Sequence, residues 1–81
     1  MEEYKIRLMK LGMSQMDLMR YMLKSGYEGV LSGNYISQAI MGVPGARYDK
    51  MRKGIDEALT RKEAERARIE EILANAGLKQ A

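Results

Sequence analysis

The chain has 81 residues and a formal net charge of +3. That is enough for one small domain, because a chain of this size buries only about 60% of its unfolded surface, which excludes a large enclosed active site. It contains neither histidine nor cysteine, which removes the commonest general base, the commonest metal ligands, the thiol nucleophile and any disulfide. We therefore expect no enzyme activity, no metal or other cofactor, no evident small-molecule ligand, and a cytoplasmic protein. No apolar run spans a bilayer, and Met1-Glu2-Glu3 is acidic where a signal peptide is basic, so neither membrane insertion nor export is expected.

Glu2 to Leu11 has helical periodicity. Tyr4, Leu8 and Leu11 share a face with Ile6 and Met9 beside them, Glu2 and Glu3 suit the positive end of the helix dipole, and Gly12 is a stop. Ser14 then caps a second helix, and Asp17 three residues on gives a capping box with Asp for Glu. Its buried stripe is Leu18, Met19, Met22 and Leu23, ending at Ser25-Gly26. Gly26-Tyr27-Glu28-Gly29 reads as a turn, with Tyr27 as a loop anchor rather than a ligand contact and Val30 and Leu31 returning to the core. Ser32 caps a third helix with apolar Tyr35, Ile36, Ala39 and Ile40. Gly42-Val43-Pro44-Gly45 stops it in a rigid turn.

The chain is helical again from Ala46, with Tyr48, Met51, Ile55, Ala58 and Leu59 in one stripe. Gly54 inside it costs about 1 kcal/mol relative to alanine, which points to close packing there. Thr60-Arg61-Lys62-Glu63 fits a capping box, so either a fresh helix starts at Thr60 or one helix runs to about Asn75, with Gly77 as a stop. The charged stretch between Leu59 and Ile69 is expected to face water. Beyond it Ile69, Ile72, Leu73, Ala76 and Leu78 form a second apolar patch, which either packs back on the domain or pairs with a second copy. With no alternating apolar–polar runs, the fold class is all-α: a bundle of four or five helices with a long or extended C-terminal helix.

Two segments carry a resemblance. Leu11-Gly12-Met13-Ser14-Gln15 with Asp17-Leu18-Met19, and Leu31-Ser32-Gly33-Asn34-Tyr35-Ile36-Ser37-Gln38 ending at Ile40-Met41-Gly42, resemble the two helices of lambda-repressor-like, Cro-type helix-turn-helix regulators. The match runs from about Tyr4 to Leu59. Small phage and mobile-element regulators of Gram-positive bacteria look similar. The family usually joins the two helices by a tight turn, whereas here several extra residues, roughly Leu23 to Val30, intervene. The resemblance implies a helix-turn-helix DNA-binding domain over residues 1–59, a helical extension over 60–81, and a homodimer on double-stranded DNA that reads two half-sites about 34 Å apart.

On that reading Gly33, Asn34, Ser37, Gln38 and Met41 face base edges. Asn and Gln can pair with adenine, and Ser with several bases; the alternative is the polar side of an amphipathic helix. Ser25 to Ala46 holds no Lys or Arg, so attraction to phosphate must come from its flanks. Arg47, Lys50, Arg52 and Lys53 are the phosphate candidates, giving affinity without sequence information, unless they are an ordinary solvated face. Lys10, Arg20 and Lys24 could add to the rim. The family match makes Gln15 a phosphate or bracing contact, and Tyr35 either donates to phosphate or packs in the core. Ile69, Ile72, Leu73 and Ala76 are the dimerisation candidates. Two competing readings remain at this stage. One is a protein-interaction module on the same scaffold, such as an antirepressor or a phage-encoded inhibitor; the other is a small oligomerisation domain.

Overall fold

The computed structural model describes residues 2–77 as four helices, with no strand among them. The helices are α1 (Glu2–Leu11), α2 (Gln15–Lys24), α3 (Gly33–Met41) and α4 (Ala46–Asn75). Their boundaries follow local chemistry. Ser14 and Asp17 exchange hydrogen bonds at α2, the Ser14 N–H donating to the Asp17 carboxylate (3.0 Å) and the Asp17 N–H to the Ser14 hydroxyl (3.1 Å), so two backbone donors at the helix start are satisfied by side chains. At α3 the Ser32 hydroxyl accepts from the Tyr35 N–H (3.1 Å). Gly42 closes α3 with φ 95°. In that left-handed conformation the Val43 N–H reaches back to the Gln38 carbonyl, an arrangement that a residue with a Cβ resists.

Tyr4, Leu8, Leu18, Met22, Ile36, Ala39, Ile40, Met51, Ile55, Ala58 and Leu59 form one core shared by all four helices. Each small helix supplies two or three of these residues, and α4 supplies the other four. No small helix could bury its stripe alone; α4 is the element against which the others close. Four residues expected inside lie outside: Ile6, Met9, Leu23 and Val30 are 46%, 76%, 57% and 68% exposed. For Ile6, Met9 and Leu23 the reason is width, since the stripe meeting α4 is narrower than the apolar run. Val30 lies in the irregular connection, where Tyr27 and Leu31 turn inward instead.

The second capping box is not used. α4 passes through Thr60 without a break, and its 30 residues give the molecule its 48 Å long axis, as a rise of about 1.5 Å per residue requires. Thr60 and Glu63 instead face α1. The Arg7 guanidinium grips the Glu63 carboxylate with two bonds of 2.9 Å, reaches Asp56 at 2.6 Å and donates to the Thr60 hydroxyl at 3.2 Å. Further along, Arg66 donates to the Lys10 carbonyl, and the Lys62 ammonium lies 4.8 Å from the Tyr21 ring centre. The body therefore extends along α4 to Arg66, past Leu59, where the sequence suggests a boundary. The stretch expected to face water is partly engaged, with Lys62 and Glu63 half-buried.

Gly54 also has a packing reason. A Cβ there would lie 2.5 Å from Cε1 of Tyr27 and 3.3 Å from the Met22 methyl. Tyr27 is thus the anchor of the connection between α2 and α3, its ring close against α4 at Gly54, and burial raises its phenol pKa.

Candidate nucleic-acid interface

The surface of α3 follows from its period. Ile36, Ala39 and Ile40 point into the core, so Asn34, Ser37, Gln38 and Met41, at spacings of three and four, share the opposite side. Asn34 is exposed, Met41 is 65% exposed, and Ser37 and Gln38 are half-buried. Gly33 opens the helix in the open; a Cβ built on it would meet only the sulfur of Met16, at 4.0 Å. That contact sets the first turn of α2, where half-buried Gln15 lies, beside the first turn of α3.

The first turn of α4 crosses α3 and fixes its outer face. The Tyr35 and Tyr48 rings pack at 5.0 Å, tilted by 55°, with the Arg47 guanidinium 5.7 Å from the Tyr35 ring centre. The Tyr48 hydroxyl donates to Oε1 of Gln38. Gln38 is therefore not a free amide: its oxygen is engaged by the protein, and its NH2 group remains to donate outward. Tyr35 is in part a core residue, but its ring also seats a cation.

The four basic residues of this turn divide. Arg47, Lys50 and Lys53 are exposed. Arg47 stands over α3. Lys50 lies one turn on, whereas Lys53 lies two residues from buried Met51 and so on the face of α4 turned away from the core. Arg52 is directed inward, its side chain only 11% exposed. It donates to the Ala39 carbonyl (3.1 Å) and the Val43 carbonyl (2.9 Å), and pairs with Asp49 at 2.6 Å. Arg52 thus ties the end of α3 and the turn after it to α4, and its guanidinium is engaged within the protein. Of the four phosphate candidates it is the one with these internal partners. The rim residues Lys10, Arg20 and Lys24 are exposed, with Arg20 3.6 Å from Asp17. The Asp17 carboxyl is held below its ordinary pKa, chiefly by the Ser14 backbone N–H.

Two contributors escape sequence reading. Tyr48 reads there as one more apolar residue of the α4 stripe, and nothing in its spacing reveals a hydrogen bond to a residue ten positions earlier. Arg7 lies in α1 four residues after Glu3, the spacing of a local ion pair, but its partners are instead about fifty positions away. For Arg52 there is one signal, Asp49 three residues before it, the spacing of a helical ion pair.

The class that fold and surface define is an all-α body of three short helices on a long C-terminal helix, with a capped short helix displayed beside a cationic helix start. No family model matches the chain, and no curated protein and no solved structure matches it at a significant level. Among the described residues no helix is long and apolar enough to cross a membrane, and no group of acidic residues could hold a metal ion. Ile69, Ile72, Leu73 and Ala76 are all exposed on the last turns of α4; Leu78 lies outside the described residues.

Proposed function

We propose that the chain is a sequence-specific DNA-binding regulator similar to the lambda-repressor-like, Cro-type proteins, with α3 entering the major groove of double-stranded DNA. The observation that carries this reading is the exposed side of α3, Asn34–Ser37–Gln38–Met41, bordered by the Arg47 guanidinium. Asn34 reads a base edge. Gln38, oriented by the Tyr48 hydroxyl on its oxygen, reads a base edge with its NH2 group and the remaining lone pair of that oxygen. Arg47 and Lys50 contact phosphate on one flank, and Gln15 contacts it at the start of α2. Lys53 adds longer-range attraction. A pair of such modules, as expected of a phage or mobile-element regulator, reads two half-sites one DNA turn apart.

The test is salt-titrated binding to operator sequences selected from a random pool. Asn34→Ala is expected to cost about 1–3 kcal/mol and relax preference at one position, while Lys50→Ala weakens all sequences alike and lowers the salt slope by about one. Binding with no sequence preference, or with no salt dependence, overturns the reading. The second reading, a protein-interaction module, draws on the uncharged exposed residues Leu23, Val30 and Met41; it predicts no selected sequence at all.

A further inference from the structure

Among the described residues, the last hydrogen bond from α4 to the body is Arg66 on the Lys10 carbonyl. From there to Asn75 the helix runs on for nine residues, about 14 Å. Its strip of Ile69, Ile72 and Leu73 is 58%, 61% and 43% exposed. Where it leaves the body it forms one wall of an open groove of about 1020 Å³ whose floor is the end of α1 and the turn into α2, from Met9 to Met13. The floor is largely apolar, with Met9 at 76% exposed the most open large apolar residue of the body, and the wall sets Ile69 and Ile72 among charged residues. The charged lining is Lys10, Lys62, Arg66 and Arg68 against Glu65 and Glu70, so cations are in excess.

We infer that the occupant of this groove is the same segment of a second copy, laid antiparallel, so that each protomer's tail rests on the other's Met9–Met13 floor. The argument is charge order along the strip. Arg66 and Glu70 lie one turn apart on the same edge of it. An antiparallel copy sets its Glu70 against Arg66 and its Arg66 against Glu70, two opposite-charge pairs made by one two-fold axis. A parallel copy, whose edge residues face the opposite edge of the partner, brings neither pair together. The tail from Ile69 onward carries Glu70 and Glu71 and no described cation, and the rim it meets carries an excess of positive charge. An isologous contact requires this self-complementarity. The inference rests on the pairing expected for the regulator, but not on DNA binding.

The experiment is sedimentation of the full chain without DNA. The wild-type chain is expected to form a concentration-dependent dimer, and I69D/I72D to be monomeric with helical content intact, since neither residue belongs to the core. R66E and E70R are each expected to weaken the dimer about tenfold, because the two-fold doubles every change, and the combined R66E/E70R chain to recover it. That recovery separates pairing from the hydrogen bond of Arg66 to Lys10, which E70R cannot restore. A chain monomeric at every concentration, which would leave the groove to a different partner, overturns the inference. So does a dimer indifferent to I69D/I72D, and a combined variant that does not recover overturns the antiparallel register. Selected DNA binding by a monomeric chain would sink the pairing and leave the regulator standing; a dimer without DNA binding would do the reverse.

Discussion

The two ends of α4 carry the same helical pattern and have opposite fates. In the first half Met51, Ile55 and Leu59 recur at spacings of four and are at most 1% exposed; in the second, Ile69, Ile72 and Leu73 remain between 43% and 61% exposed. Helical period identifies an apolar face but says nothing of what covers it. The first half is covered because three short helices cannot close without it. The second half projects beyond all of them, so its apolar face is surplus to the monomer and its chemistry is available for association.

The comparison breaks most plainly by truncating the same side chain in both halves. Ile55→Ala removes a fully buried side chain from the middle of the core and is expected to cost about 2–5 kcal/mol in urea unfolding. Ile72→Ala is expected to stay within about 0.5 kcal/mol, when measured at a concentration where a single monomeric species sediments. Equal losses would mean that the tail folds back on its own body, and the distinction between the halves would fail.

Gly54 sharpens the comparison within the buried half. By helix propensity alone, Gly54→Ala gains about 1 kcal/mol. The added Cβ would lie 2.5 Å from Cε1 and 3.0 Å from Cδ1 of Tyr27, and overpacking of this kind costs about 1–3 kcal/mol. The substitution is therefore expected to destabilise by about 1 kcal/mol, and to become stabilising in a Tyr27→Ala background. A double-mutant cycle with no coupling between the two positions would show that Tyr27 does not hold the connection against α4.

Much of this body is legible in the sequence. Ser14 with Asp17, Ser32 and Gly42 mark helix ends because capping is local chemistry, confined to three or four residues. Gly54 announces a close approach because its presence in a helix otherwise costs stability. The residues that set the outer face of α3 are harder to read. Arg52 belongs by sequence to a basic run, and only the fold shows its guanidinium spent on the Ala39 and Val43 carbonyls. Tyr48 counts as apolar until its hydroxyl is found on Gln38. The unused capping box at Thr60 shows the same limit from the other side: its Glu63 is taken by Arg7, and a bidentate charge-assisted bond to another helix outweighs a local cap.

That clasp between α1 and α4 gives the smallest expected effect, and it carries a sign. The hydrogen bonds from Arg7 hold the Glu63 carboxyl below its ordinary pKa of 4.5, and Arg7 is correspondingly held protonated more firmly. A carboxyl whose pKa is depressed on folding contributes stability that is full above its unfolded pKa and is lost as pH falls through the folded value. Arg7 and Glu63 keep 24% and 42% of their side-chain surface exposed, so solvent limits the clasp to about 1 kcal/mol. Arg7→Ala is thus expected to lower stability by about that amount at neutral pH and by almost nothing in acid, where Glu63 is protonated in both chains. The Asp17 carboxyl, depressed in the same direction by Ser14, is untouched by the substitution, so both chains should retain a residual loss of stability on acidification. Parallel curves of unfolding free energy against pH for wild type and Arg7→Ala would mean that the clasp adds contact but no charge coupling. Converging curves, closing below pH 4.5, are the result expected of an ion pair that fastens the first helix to the last.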